Sequence, residues 1–179
     1  MRAELKEIGE TDYWVYGLSI TDLDYTLIVA NNLIQSSRQR LDLAIKDVRT
    51  EYPDPDVHGE LISDLAHYTW TEQQYLWHFC LWRLQGIMEG IIVYCLLERE
   101  SSSNLKGLYA KLSALRKAGY SLEDDEQKEL IEWGKLRNAL SHAPPEQFRP
   151  GPLNDEDVYE YKEYVRALLV RWMRQKGEK

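Results

Sequence analysis

Hydrophobic residues recur every three or four positions along most of the chain, which is the spacing of one face of an α-helix. Between Leu23 and Val48 this spacing predicts a single long helix over residues 22–50, with Thr21-Asp22 as its N-cap. The proline-containing segment 52–56 then ends the helix and makes a turn.

The middle of the chain predicts a short helix followed by a long apolar one. The short helix covers Val57–Tyr68, and Thr71 with Gln74 three residues later has the form of a capping box. The segment Tyr75–Leu97 is too long for one strand and is apolar nearly all round. It is therefore predicted to be the central helix of the fold.

Three further helices are predicted in the second half of the chain. The first covers Leu105–Ala118 and stops at Gly119-Tyr120. The second begins with the polar residues 121–124 and carries an apolar face that ends at Leu140. The third covers Val158–Gln175, after a loop that is rich in proline.

These elements together predict an all-α fold. Residues 21–176 form one domain in this prediction, an up-and-down bundle of four long helices with one or two short helices. Residues 1–20 are predicted to be an N-terminal extended arm laid over the bundle. The longest apolar run, Ile91–Leu97, is too short to span a bilayer, so we expect a cytoplasmic protein that does not contact a membrane.

The formal net charge of the chain is -8 at pH 7. This balance argues against non-specific binding to nucleic acid, which is typical of basic domains, but a cleft can still be locally positive on an acidic protein. The basic residues are densest on the helix predicted after residue 104, and we expect them on its exposed side. There they form either a solvated helix face or a rim that faces a bound phosphate. They are Lys106, Lys111, Arg116 and Lys117.

Glu89 is a carboxylate within the predicted central helix. At helical spacing it shares a face with Trp82 and Gln85. A carboxylate on a buried face needs a partner, because an unpaired buried charge is costly. Glu89 is therefore either the structural partner of a basic residue on a neighbouring helix or an anchor that holds Arg137.

The polar stretch 135–142 lies at a predicted helix end, directly before Pro144-Pro145. Asn138 and His142 are four residues apart and share one face of a helix. Arg137 and His142 are five apart and diverge by about 140° on an ideal helix. They converge only if the helix ends near residue 141, or if a second copy of the site faces the first across a dimer.

Such a group is suited to phosphodiester cleavage without a metal. His142 can take the proton from a ribose 2′-hydroxyl or give one to the leaving oxygen, and Arg137 can hold the phosphate. Asn138 can orient the histidine or donate to a phosphate oxygen. The candidate phosphate-rim residues around them are Lys135, Ser141 and Arg149. The chain has no HExxH, CxxC, P-loop or GxSxG motif, so no metal or cofactor is predicted.

The stretch Arg137-Asn138-Ala139-Leu140-Ser141-His142 resembles the R-x(4–6)-H motif of HEPN domains, including the polar residue directly after the arginine. The resemblance covers residues 22–175, with one further helix after the motif. It implies an all-α bundle that binds RNA and cleaves it by metal-independent 2′-hydroxyl transphosphorylation, with Arg137, Asn138 and His142 as the active-site set. It also implies RNA or a nucleotide as ligand, a homodimer with paired motifs, and an antitoxin protein where the chain is a toxin.

Two other interpretations remain open. In the first, the protein is a non-catalytic module that binds a nucleotide or phosphate in the same pocket, or a protein partner through the aromatic residues around Trp14. The acidic balance fits a small nucleotide or a narrow substrate better than tight RNA binding. In the second, Arg137 and His142 interact only with the last carbonyls of their helix.

Overall fold

The computed structural model describes residues 17–98, 105–142 and 151–178, with the exception of the His142 side chain. Within these ranges the chain forms five α-helices and no strand, so the prediction of an all-α fold is confirmed. The helices are α1 (Thr21–Glu51), α2 (Pro55–Gly90), α3 (Gly107–Lys117), α4 (Asp124–His142) and α5 (Asp155–Gly177). A π-helical segment, Ile91–Leu96, continues α2.

Helix α1 agrees with the predicted long helix over residues 22–50. It begins at Thr21, so Thr21 and Asp22 belong to its first turn and do not form the predicted N-cap. The Asp22 carboxylate instead accepts a hydrogen bond from the backbone N–H of Ser19 at 2.8 Å. Of the predicted N-terminal arm, residues 1–16 lie outside the described residues.

The structure corrects the prediction of two separate helices over residues 57–97. Helix α2 is continuous from Pro55 to Gly90, and its start is capped by Asp54, whose side chain accepts from the backbone N–H of Asp56. No glycine or proline interrupts the chain between residues 68 and 75, so nothing breaks the helical hydrogen bonds there.

Thr71 and Gln74 do not form the predicted capping box and make other hydrogen bonds. The Thr71 hydroxyl donates to the carbonyl of His67 at 2.9 Å, within the helix. The Gln74 side chain accepts from the backbone N–H of Leu153 at 2.9 Å, just before α5 begins. Gln74 therefore makes a tertiary contact, and the prediction that it caps a helix start is wrong.

Helix α2 and its π-helical continuation contact each of the other four helices. Its inward residues from the middle onwards are completely or almost completely buried, which agrees with the prediction of a central apolar helix. They include Leu81, Leu84, Ile87, Met88, Ile91 and Ile92, all at 0% exposure. The core therefore surrounds the C-terminal half of α2.

Helix α5 packs an inward face against that core. Asn154 and Asp157 form a capping box at its start, as expected of a polar residue before the helix. The apolar residues that recur at helical spacing along it are buried, as that spacing predicts, namely Val158, Tyr161, Val165, Leu168, Leu169 and Trp172. Its bounds, Asp155–Gly177, extend the predicted helix by a few residues at each end.

One helical stretch in the described part of the chain, Pro55–Leu96, is long and apolar enough by composition to cross a membrane, with a mean hydropathy of 1.4 in its most apolar window. However, 56% of that window is buried inside the protein, as in the core helix of a soluble protein. The stretch is thus weak support for a membrane span, and the cytoplasmic location stays a prediction.

The central position of α2 predicts a large effect for truncation of Leu84. Leu84→Ala should lower the free energy of unfolding by about 2–5 kcal/mol, because it removes a completely buried side chain and leaves a cavity. Leu43→Ala on α1 is the control, since Leu43 is 60% exposed and its truncation should have little effect. Urea unfolding measures both changes, and similar values for the two variants would contradict the assigned core.

An ion-pair cluster between α1 and α5 predicts an acid-sensitive stability. The pKa of Asp24 is lowered from 3.8, first by a hydrogen bond from Arg166 and then by one from Lys162, which is 7% exposed. A carboxyl with a lowered pKa stabilises the folded state above its ordinary pKa, and this contribution is lost as the pH falls through the folded-state pKa.

Asp24→Asn should therefore be less stable than the wild type at pH 7, and the difference should shrink as the pH falls below about 3.8. Thermal unfolding at pH 7, 5 and 3 provides the measurement. Asp47→Asn, at an exposed position on α1, is the matched control. A stability difference that stays constant down to pH 3 would rule out a charge contribution from Asp24.

Candidate functional site

The predicted motif lies on the last two turns of α4, and its residues point in different directions. The Arg137 side chain is 28% exposed and faces α2, whereas Asn138 is exposed. Lys135 is also exposed and pairs with Glu132 at 2.7 Å. The Ser141 hydroxyl donates to the backbone carbonyl of Arg137 at 2.7 Å, so it is used within the helix.

The Arg137 guanidinium is held by two residues of α2. Its Nε–H donates to Gln85 Oε1 at 3.2 Å, and its Nη2 lies 3.3 Å from Glu89 Oε1. Gln85 Nε2 also donates to Glu89 Oε1 at 2.8 Å, so the three side chains form a closed set. Gln85 is completely buried, which makes one side of this set rigid.

Lys111 of α3 completes the cluster by pairing with the other carboxylate oxygen of Glu89. The side chains of Lys111 and Glu89 are both 13% exposed. The expectation that Lys111 lies on an exposed basic face is therefore wrong, because this position of α3 faces α2. Both interpretations of Glu89 require a basic partner, and the structure provides two.

Arg137, Glu89 and Lys111 lie at a cleft with a volume of about 370 Å³. The cleft is bounded by α2, the π-helical segment, α3 and α4. Its lining residues are Trp82, Gly86, Glu89, Gly90, Val93, Tyr94, Lys111 and Arg137. Two cations and one carboxylate leave one positive charge there, on a chain whose formal net charge is -8.

Tyr161 of α5 is completely buried beside this cluster, with its ring centroid 4.7 Å from that of Trp133. Its hydroxyl makes no hydrogen bond to the described residues. Burial raises the pKa of Tyr161, and the negative charge of Glu89 raises it further. Tyr161 therefore stays neutral, and it adds no charge to the cluster.

Position 142 lies at the end of α4, on a different side of the helix from position 137. Helix α4 extends to His142, so positions 137 and 142 lie about 140° apart around the helix axis. The His142 side chain and the whole of Arg149 lie outside the described residues. Among the predicted site residues whose side chains the structure describes, Arg137 and Glu89 meet side chain to side chain, and Ser141 contacts only the Arg137 backbone.

Known proteins provide no further assignment. Comparisons with models of protein families, with curated proteins and with solved structures found no match.

Three residues that the sequence interpretation assigned no role lie at the site: Gln85 in the cluster, Trp82 in the cleft lining and Tyr161 near Glu89. Gln85 and Trp82 share a face with Glu89 at helical spacing, and that spacing is a usable signal for both. Tyr161 lies on the inward face of α5, but no sequence pattern indicates that it is next to Glu89. Among the described residues, no three His, Cys, Asp or Glu side chains are grouped closely enough to hold a metal ion.

A second concave surface lies between α1 and α2, with a volume of about 350 Å³. Its walls are mainly apolar side chains such as Val29, Leu33, Leu76 and Phe79. It contains none of the residues of the predicted motif. The cleft at Arg137 is thus the better candidate for the site.

The position of Glu89 between two cations predicts a large stability effect. Glu89→Ala should lower the free energy of unfolding by roughly 3–5 kcal/mol, because Arg137 and Lys111 would then be partly buried without a counter-charge. Glu132→Ala is the matched control, since the side chain of Glu132 is 58% exposed and its pair with Lys135 should contribute at most about 1 kcal/mol. Urea unfolding of both variants checks this, and equal losses would show that Glu89 is not a buried anchor.

Proposed function

We propose that the protein is a HEPN-type RNA-binding protein in which Arg137 binds a phosphate and His142 acts as general acid or base in RNA cleavage. The observation that carries the proposal is the way Arg137 is held: Gln85 and Glu89 fix its guanidinium at the edge of an open cleft. A cation held in this way needs no rearrangement when an anion arrives.

The guanidinium keeps donor capacity for a ligand. Of its five N–H groups, the Nε–H binds Gln85 and one Nη2–H binds Glu89. The other three make no hydrogen bond to the described residues. They suit the oxygens of a phosphate, which guanidinium groups bind in a two-pronged geometry.

The charge of the cleft supports an anionic ligand. Lys111 faces the same space as Arg137, and the pair exceeds the charge of Glu89 by one. A local positive site on an acidic protein also favours a short contact with RNA over extended non-specific binding. This agrees with a ligand that inserts one or a few nucleotides.

In the proposed reaction, His142 takes the proton of the ribose 2′-hydroxyl as the 2′-oxygen attacks phosphorus. The bond from phosphorus to the 5′-oxygen breaks, the leaving oxygen takes up a proton from water, and a 2′,3′-cyclic phosphate and a 5′-hydroxyl result. Arg137 stabilises the negative charge that develops on the phosphate oxygens. Asn138 is exposed on the face that it shares with position 142, where it can orient the histidine.

The separation of positions 137 and 142 around α4 favours a site completed by a second chain. We therefore include in the proposal a homodimer with paired motifs, in which Arg137 of one chain works with His142 of the other.

The five helices form an up-and-down bundle in this proposal, with α3 as the short helix and residues 1–20 as an extended arm. Two observations support this arrangement: α2 with its π-helical continuation contacts every other helix, and Gly17 is buried where the described chain begins.

The same separation also favours a second candidate function, phosphate or nucleotide binding without catalysis. Arg137 and Lys111 meet at the cleft through contacts that do not involve His142. In this case the ligand raises the melting temperature of the protein but is not cleaved, and His142→Ala leaves that shift unchanged.

Arg137→Ala and His142→Ala should each abolish cleavage of a labelled single-stranded RNA, while both variants keep the helical circular dichroism of the wild type. Arg137→Ala should remain folded because Lys111 continues to neutralise Glu89. Lys128→Ala is the matched control, since Lys128 lies on the same helix, is exposed, does not line the cleft and should leave cleavage unchanged. Full cleavage by either test variant would refute the proposed catalysis.

Mixing the two inactive variants tests the paired arrangement. If the sites are shared between chains, a mixed dimer contains one intact site, and an equal mixture should regain about one quarter of the wild-type activity. No recovery, despite exchange of subunits, would place both residues in one chain.

A further inference from the structure

Trp82 brings an aromatic ring to the cleft that contains Arg137 and Lys111. It lies on α2, lines the cleft and is 41% exposed. Its indole packs edge-on against Phe79, with 6.0 Å between the ring centroids and an angle of 83° between the planes. Part of an aromatic ring is therefore presented to solvent in a cleft that also contains two cations.

The space next to Trp82 is open. Gly86 follows one helical turn later and also lines the cleft. A Cβ atom built at Gly86 would have no atom outside its own helix within 4 Å. The side of α2 at Gly86 is therefore open to the cleft that Trp82 also lines.

Aromatic rings and cations in one cleft match the two parts of a nucleotide. Bases stack on tryptophan regardless of their identity, and Arg and Lys bind the phosphate. A base within a duplex is already stacked between its neighbours and paired, so it cannot lie flat on a single side chain. A cleft of about 370 Å³ is within the size range of sites for small ligands.

We propose that the cleft binds one unpaired nucleotide, with its base stacked on Trp82 and its phosphate held by Arg137 and Lys111. This inference rests on the proposed function and defines its substrate class as single-stranded RNA or the unpaired part of a folded RNA. Trp82 is then the residue that selects against duplex RNA.

The test compares the affinity of variants for a fluorescent single-stranded RNA and for a blunt duplex of the same sequence, by fluorescence anisotropy. Trp82→Ala should weaken binding of the single strand by about 5- to 100-fold and leave duplex binding unchanged. Trp82→Phe should retain most of the affinity, because a smaller aromatic ring remains.

Gly86→Leu provides an independent variant. Leucine is a better helix former than glycine, so the fold should be preserved while the side chain fills the space over the indole. We expect the same loss of single-strand affinity as in Trp82→Ala. Tyr75→Ala is the control: Tyr75 is 60% exposed on the same face of α2, does not line the cleft, and should have no effect.

The outcomes separate this inference from the proposed function. Normal single-strand binding by Trp82→Ala and Gly86→Leu, together with loss of binding in Arg137→Ala, would overturn the role of Trp82 and leave the phosphate site in place. Normal binding by all three variants would overturn both. An equal loss of affinity for the single strand and for the duplex in Trp82→Ala would overturn base stacking. A changed sedimentation coefficient of Trp82→Ala with unchanged RNA affinity would also overturn it, because Trp82 would then contact a second protein chain.

Discussion

Glu89 places a negative charge in the central helix, and the packing around the candidate site depends on its neutralisation. A carboxylate that is 13% exposed loses most of its hydration, and this loss is offset only by close cations and hydrogen-bond donors. Arg137 and Lys111 come from two different helices, and Gln85 donates from the same helix. One carboxylate therefore determines how α3 and α4 are aligned against α2.

The same interaction explains why an arginine suits position 137. A lysine there would supply one point charge, whereas the guanidinium binds Gln85 and Glu89 along one edge and keeps N–H groups on its other edge. The buried face of the cluster also excludes water, since Gln85 and Tyr161 are completely buried. Electrostatic interactions are stronger in such a place than at the protein surface. Structural pairing and anion binding are thus compatible at Arg137.

The hydrophobic period of the sequence predicted the helices well where one face of the helix is buried. The bounds of α1 and the inward residues of α5, such as Tyr161 and Trp172, follow from spacing alone. The requirement for a partner at Glu89 was also predictable, because a buried charge demands one. These successes share one cause: each depends on burial along a single helix.

The errors concern contacts between helices. Thr71 and Gln74 resemble a capping box, but Gln74 binds Leu153, which is remote in sequence. Lys111 resembles a solvated lysine because the sequence does not indicate which side of α3 meets α2. Whether the His142 and Arg137 side chains meet could not be predicted from the sequence either. A spacing of five residues gives only the angle between them around the helix axis, and it carries no information about a second chain.

The contrast between the acidic chain and the positive cleft at Arg137 has a consequence for the choice of ligand. A formal net charge of -8 repels the backbone of a long RNA at a distance, so attraction must come from short-range contacts within the cleft. Stacking on Trp82 is such a contact, because it does not depend on net charge and is little screened by salt. A protein of this charge that binds RNA at this cleft should therefore rely on a base as much as on a phosphate.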